Sequence, residues 1–164
     1  MKLIIMRGLP GSGKSSWVRA KCPEAVVCSA DHFFEGRGEP KRHPNFKRPL
    51  LGMAHADCLR KALDAFHRKE EQVVIDNTNS KSWEYLNYAR IAKLVGYEVV
   101  VAELVVEAGA NRLAERNVHG VPLVVIEGMR RRWETVPEGE LIDHHILITE
   151  GEVSHAIGGS NENV

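Results

Sequence analysis

The stretch GLPGSGKS, residues 8–15, places two glycines five positions apart, directly before a lysine and a serine. Glycine tolerates the backbone angles that turn several N–H groups into one concave loop, and such a loop binds phosphate oxygens. The apolar run KLIIM precedes it, and a helix is predicted to begin near Lys14 and to direct its positive N-terminal dipole at the same point. The pattern is that of a P-loop, and it predicts a strand–loop–helix unit that binds a nucleoside triphosphate.

The side chains of this loop have separate expected roles. Lys14 should reach the β- and γ-phosphates of ATP, and Ser15 should coordinate Mg²⁺ through its hydroxyl group. ATP and Mg²⁺ are accordingly the expected cofactors. The residues expected to contact the nucleotide are those of the whole loop, Gly8, Leu9, Pro10, Gly11, Ser12, Gly13, Lys14, Ser15 and Ser16.

Short apolar runs alternate with helical patterns along the rest of the chain. The runs are apolar on both alternating faces, as are strands that are covered on both sides of a parallel sheet. They are KLIIM (2–6), AVVC (25–28), QVVI (72–75), YEVVVAELV (97–105) and HILIT (145–149). Apolar residues at three- and four-residue spacing predict helices over 51–69, 82–95 and 122–134. The sequence thus predicts an α/β P-loop NTPase fold, with a five-stranded, mostly parallel sheet and helices on both faces.

Three side chains in the predicted helices have expected packing positions. Leu63 belongs to the apolar face of the helix over 51–69, and His55 lies one turn before another member of that face. A buried core histidine is therefore favoured over a contact to an acceptor. Trp83 is expected to pack its helix onto the sheet rather than to stack on a base.

Length and composition limit the class of protein. A chain of 164 residues suits a single domain, expected over 1–157, followed by a polar tail over 158–164 that is expected to be disordered. Lys+Arg and Asp+Glu number 22 each, which argues against a protein that coats long nucleic acid but leaves room for a local basic groove. Three scattered cysteines and a short N-terminal apolar run predict a cytoplasmic protein with no membrane partner.

Two carboxylates follow predicted strands, at the edge where open α/β sheets bind ligands. Asp31 comes just after AVVCSA, and it could accept the proton of an attacking hydroxyl as the γ-phosphoryl group moves. The alternative for Asp31 is a helix N-cap. Asp76 ends QVVID and resembles a Walker-B acid that holds Mg²⁺ directly or through water, the alternative being a turn-forming aspartate.

Positive charge recurs at helical spacing in NRLAERNVHG, at Arg112, Arg116 and His119. This spacing predicts that the three side chains share one helix face. Arginine placed over a γ-phosphate stabilises the charge of the transferring group. The alternative is a solvated charged face.

The segment 35–49 contains proline, glycine and several basic residues and is predicted to be a long loop. Its basic residues include Arg37 and Arg42, with Phe46 among them. Interleaved basic and aromatic residues can track a single nucleic acid strand by charge and stacking. The alternative is a solvated loop whose positive charge is partly cancelled by two glutamates.

Taken together, five segments resemble the P-loop polynucleotide kinase-like family over residues 2–133. They are RGLPGSGKS, CSADHFF, LLGMAHADCL, VIDNTNSKSWEY and LAERNVHGVP. The resemblance implies phosphoryl transfer from ATP to the 5′-hydroxyl of a DNA or RNA end, in nucleic acid repair. It implies Asp31 as the general base and Arg116 on the triphosphate, and with Lys14 these are the expected catalytic residues. Arg112, which shares the predicted helix face with Arg116, is also expected to contact the nucleotide. From the resemblance and the basic loop together, the residues expected to bind the acceptor are Asp31, Arg37, Arg42, Asn77 and Asn79.

The chain also departs from this family. Phe34 stands where the phage-type enzymes carry an arginine that grips the acceptor's phosphate, and Asn77 aligns with an acid of those enzymes. Two further functions therefore stay open. One is a P-loop kinase of a small hydroxyl compound such as a nucleoside, sugar or antibiotic, and the other is a non-catalytic ATP-binding adaptor.

Overall fold

The computed structural model describes residues 1–35 and 47–158. The predicted substrate residues Arg37 and Arg42 lie outside the described residues, together with Phe46. The last helix extends to Gly158, so the first residue of the predicted tail is helical. Residues 159–164 lie outside the described part of the chain.

Five parallel strands form one sheet in the order β2-β3-β1-β4-β5. They are β1 (Lys2–Arg7), β2 (Val26–Cys28), β3 (Gln72–Asp76), β4 (Glu98–Val105) and β5 (His144–Thr149). Met6 near the end of β1 lies beside Asp76 at the end of β3. This register places the loop that follows β1 next to the acid that ends β3, and the predicted five-stranded parallel sheet is confirmed.

The described helices are α1 (Lys14–Lys21), α2 (His32–Glu35), α3 (Leu51–His67), α4 (Leu86–Leu94), α5 (Ala110–Arg116), α6 (Leu123–Arg131) and α7 (Glu150–Gly158), with 3₁₀ turns at Arg48–Leu50 and Ser82–Glu84. The helices predicted over 51–69, 82–95 and 122–134 correspond to α3, α4 and α6, and each is shorter than predicted. The predicted helix over 82–95 thus begins as a 3₁₀ turn. No helix in the described ranges combines the length and the hydrophobicity that crossing a membrane requires.

Apolar layers cover both faces of the sheet, because alternate residues of each strand point to opposite sides. On one face, Ile5 and Ile75 are fully buried against α3 and α4. On the other face, Ile4 packs with Val18 of α1 and Val153 of α7. The predicted arrangement of helices on both faces is confirmed.

Three packing expectations are wrong. The buried stripe of α3 contains Ala54, Cys58 and Ala62, at four-residue spacing. His55 and Leu63 each lie one position after a member of this stripe, so both side chains are exposed, Leu63 by 41%. Trp83 is 70% exposed because it lies in the 3₁₀ turn before α4 rather than on the helix face that meets the sheet.

Candidate active site

The loop between β1 and α1 approaches two helices so closely that only glycine fits at two positions. Gly11 and Gly13 adopt φ angles of +79° and +97°, which L side chains rarely adopt. A Cβ atom on Gly11 would lie 2.2 Å from the carbonyl oxygen of Leu113 in α5, and one on Gly13 would lie 2.9 Å from Val153 in α7. The loop is therefore held between α5 and α7, in the conformation that its glycines permit.

Lys14 is the cation of this loop. Its Nζ donates to the carbonyl oxygens of Gly8, at 2.9 Å, and Leu9, at 3.1 Å. Burial lowers the pKa of the Lys14 ammonium group, and the carboxylates of Asp76 and Asp31 oppose this shift by charge attraction. Lys14 therefore lies within electrostatic reach of both acids that the sequence singles out.

Ser15 and Asp76 form the pair that a divalent cation would need. The Ser15 hydroxyl donates to Asp76 Oδ2 at 2.6 Å. Asp76 is 7% exposed, and its other carboxylate oxygen, Oδ1, is buried with no hydrogen-bond partner among the described residues. Burying a carboxylate oxygen without a partner costs folding free energy. Carboxylate oxygens are also ligands that Mg²⁺ prefers. The two side chains fit Mg²⁺, held directly or through water.

Asp31 lies between the end of β2 and the start of α2. Its side chain is 47% exposed, so a hydroxyl group from solution can approach the carboxylate. The backbone of the turn is ordered by hydrogen bonds from the Asp31 N–H to Ser29 Oγ at 3.3 Å and from the Phe34 N–H to the Asp31 carbonyl at 2.9 Å. The His119 Nε2 atom lies 3.6 Å from Asp31 Oδ2.

His119 does not share a helix face with the two arginines, and that expectation is wrong. The helix α5 ends at Arg116, and Asn117 after it has an extended backbone. The Asn117 amide group donates to the carbonyls of Ala114 and Val121 and accepts from the Val121 N–H at 2.7 Å. The chain therefore leaves the helix before His119, which brings this imidazole to Asp31 instead.

Arg116 makes an ion pair with Glu150, the first residue of α7. The Arg116 Nη1 and Glu150 Oε1 atoms lie 2.7 Å apart, and the two side chains are 40% and 38% exposed. Arg112, one turn earlier on α5, is exposed. A nucleotide that bound Arg116 through a phosphate would compete with the Glu150 carboxylate.

We expect Glu150→Gln to increase the affinity for ATP by a factor of about 1.4 to 5. The substitution frees Arg116 from an exposed ion pair, and such pairs contribute about 0.2–1 kcal/mol. Titration of the protein with ATP and Mg²⁺, followed by calorimetry, measures the change. Glu24→Gln, at an exposed position before the amino end of β2, is the matched control. Equal ATP affinities in wild type and Glu150→Gln would contradict a competition for Arg116.

Both asparagines expected in the acceptor site bond to the protein itself. Asn79 is 3% exposed, adopts a φ of +51°, and donates to the Met6 carbonyl at 2.7 Å. The expectation that Asn79 contacts substrate is therefore corrected, because its side chain supports the base of the loop. Asn77 accepts from the Ala30 N–H at 2.9 Å and donates to Cys58 Sγ at 3.5 Å.

A buried arginine below the loop was not identified as a site residue from the sequence. Arg7 ends β1 and is fully buried, and its guanidinium group pairs with Glu103 at 2.8 Å and donates to the Asn79 carbonyl at 2.8 Å. Trp133 lies 4.7 Å from the same guanidinium group and donates to Glu103 at 2.9 Å. The available signal was a charged residue directly after one predicted strand and another within a second, and the register places Arg7 beside Glu103.

Comparisons with known protein sequences identify relatives of this chain. The model of the AAA domain family, AAA_33, matches residues 3–136. Human NEDD4-binding protein 2 is 34% identical over an alignment of 137 residues, and the match covers 80% of this chain and 8% of the length of that relative.

Solved structures share the fold. A putative kinase from Chloroflexus aurantiacus superposes with a TM-score of 0.60 at 14% identity, covering 90% of this chain and 87% of that one. A gluconokinase from Sinorhizobium meliloti gives 0.54 at 16% identity, covering 95% and 87%. The P-loop NTPase fold predicted from the sequence is confirmed.

Proposed function

The chain belongs to the AAA domain family AAA_33, and from this membership and its kinase-like P-loop fold we propose that it is an ATP-dependent kinase that phosphorylates a hydroxyl group, preferentially the 5′-hydroxyl of a DNA or RNA end. The observation that carries the proposal is the hydrogen bond from Ser15, next to Lys14 in the phosphate loop, to Asp76 at 2.6 Å, beside the turn that ends in Asp31. A phosphate-binding cation, an acid suited to Mg²⁺ and an exposed acid suited to a base thus meet at one edge of the sheet.

Different residues of the site would bind the phosphates, hold the metal ion and accept the proton. The N–H groups of the loop and the Lys14 ammonium group would bind the β- and γ-phosphates. Ser15 and Asp76 would hold Mg²⁺, which reduces the negative charge of the phosphates when bound. The acceptor oxygen forms a bond to the γ-phosphorus while the bond to the bridging oxygen of ADP breaks, and the hydroxyl proton passes to Asp31.

Arg116 would stabilise the moving phosphoryl group after leaving Glu150. Its position on α5 supports this role, because α5 contacts the loop through the Leu113 carbonyl, against which Gly11 packs. The exposed Arg112 on the same helix would contribute to nucleotide binding. Arginine side chains usually accelerate phosphoryl transfer by bringing positive charge to the γ-phosphoryl oxygens.

A polynucleotide acceptor is supported by the order of the five motifs and by the exposed Lys47 and Arg48 at the described end of the basic segment. These cations, with Arg37 and Arg42 earlier in the segment, would bind the phosphates of the strand that carries the 5′-hydroxyl. Asp31 lies on the segment's other flank, at the start of α2.

One observation favours a small hydroxyl substrate as the second candidate. Phe34, at the position of the arginine in the phage-type enzymes, is 5% exposed and packs with Ala30 and Ala54. It therefore cannot grip an acceptor phosphate. A nucleoside or sugar lacks that phosphate and would not require the arginine.

The two candidates are separated by a screen with γ-labelled ATP and Mg²⁺ against 5′-hydroxyl DNA, 5′-hydroxyl RNA, nucleosides and sugars. We expect label on the oligonucleotides, and we expect none on the matched control, an oligonucleotide of the same sequence that already carries a 5′-phosphate. Label on a nucleoside or sugar alone would select the small-molecule kinase. ATP binding without transfer to any acceptor would contradict the proposed kinase.

A further inference from the structure

Asn77 links the two strands that carry the proposed metal and base residues. It directly follows Asp76, the last residue of β3. In the parallel β2–β3 ladder, Cys28 lies beside Ile75, so the turn after β2 runs next to Asn77. The Asn77 Oδ1 atom accepts from the Ala30 N–H at 2.9 Å, one residue before Asp31.

The Asn77 amide nitrogen is held by α3, on the side away from the turn before Asp31. This Nδ2 atom donates to Cys58 Sγ of α3 at 3.5 Å, and Cys58 is fully buried. Burial raises the pKa of the Cys58 thiol, so the sulfur accepts this hydrogen bond as a neutral group. The side chain of Asn77 thus spans β3, the turn before Asp31, and α3.

The turn that carries Asp31 needs such a support. The β2 strand has three residues and ends at Cys28, so residues 29–31 have left the ladder. Ser29 and Ala30 are 4% and 6% exposed, whereas Asp31 is 47% exposed. The bond from Ala30 to Asn77 ties the buried part of this turn to the strand that ends in Asp76.

We propose that Asn77 is a positioning residue that holds the Asp31 turn at a fixed distance from the phosphate loop. This role replaces the substrate contact expected for Asn77, and it rests on the proposed kinase function. An asparagine suits the position because it supplies one acceptor for the Ala30 N–H and one donor for the Cys58 sulfur. An aspartate would keep the acceptor but add negative charge beside Asp76 and Asp31.

The test compares Asn77→Ala with Asn87→Ala, the same substitution at an exposed position on α4. We expect Asn77→Ala to lower kcat about 100-fold, since a misplacement of about 1 Å costs roughly that factor. The KM for ATP and ATP binding should stay close to those of the wild type, since the loop is unchanged. The unfolding temperature should fall by a few degrees only, the cost of one unpaired buried N–H. Asn87→Ala should retain wild-type kcat.

Asn77→Asp provides a second variant with a different signature. It retains the acceptor for the Ala30 N–H, so it should recover part of the kcat that Asn77→Ala loses. It lacks the donor to Cys58 Sγ and adds negative charge beside Asp76, so its kcat should stay below that of the wild type.

Amide hydrogen exchange at Ala30 separates this proposal from the proposed function. The Ala30 N–H should be protected in the wild type and in Asn77→Asp and should exchange faster in Asn77→Ala. Wild-type kcat in Asn77→Ala despite faster Ala30 exchange would overturn the positioning role alone. A parallel fall of unfolding temperature, ATP affinity and kcat would also overturn it, in favour of general support of the fold. Absence of transfer by the wild type would overturn both proposals, whatever the Ala30 exchange rate.

Discussion

Replacing Asp31 with asparagine is expected to lower kcat for phosphoryl transfer about 10²–10⁴-fold, the contribution that a positioned general base makes. The substitution keeps the size of the side chain and removes its ability to accept the hydroxyl proton. Asp31 is 47% exposed and lies outside the apolar layers, so the unfolding temperature should change little. ATP affinity should stay within about threefold, because the loop and its Ser15–Asp76 pair are intact.

Initial rates of transfer and calorimetric titration with ATP measure these two effects separately. Asp64→Asn is the matched control, since Asp64 is 52% exposed on α3 and pairs with Arg60. That variant should transfer phosphate at the wild-type rate. An Asp31→Asn enzyme with more than about a tenth of the wild-type kcat would contradict the assignment of Asp31 as the base.

Replacing Lys14 with methionine is expected to lower kcat about 10²–10³-fold, the usual cost of removing one preorganised donor from a developing charge. ATP affinity should fall as well, because the ammonium group also binds the phosphates in the ground state. Methionine keeps an unbranched apolar stem near Gly8, where the Lys14 Cγ atom packs. The substitution also removes a partly buried charge, so the fold should be retained.

Lys21→Met, at the exposed end of α1, is the matched control for Lys14→Met. ATP titration and initial rates of both variants give the comparison. Wild-type ATP affinity and kcat in Lys14→Met would show that the lysine does not act on the phosphates.

The fold and the centre of the site follow from local sequence signals. The alternation of apolar runs and helical patterns is enough to predict a parallel sheet covered on both faces. The proximity of Ser15 and Asp76 also follows, because parallel strands bring their carboxyl ends to one edge of the sheet. The residue types alone then indicate phosphate and magnesium chemistry at that edge.

The features of the structure that the sequence did not predict depend on the residues at which helices end and on how neighbouring elements are aligned. His119 reaches Asp31 only because Asn117 stops α5, and His55 is exposed because the buried stripe of α3 lies one position away from it. The pairing of Arg116 with Glu150 joins residues 34 positions apart, which no local pattern indicates. Asn79 is buried and has a left-handed backbone conformation, whereas the family resemblance suggested a polar contact to substrate.

A crystal structure of the chain with Mg²⁺, a non-hydrolysable ATP analogue and a 5′-hydroxyl oligonucleotide tests the central claim most directly. The account predicts that Lys14 Nζ contacts the phosphates and that an Asp31 carboxylate oxygen lies about 3 Å from the 5′-oxygen. It also predicts that the 5′-oxygen faces the γ-phosphorus in line with the bridging oxygen. An Asp31 carboxylate directed away from the 5′-oxygen, with other residues between them, would contradict the account.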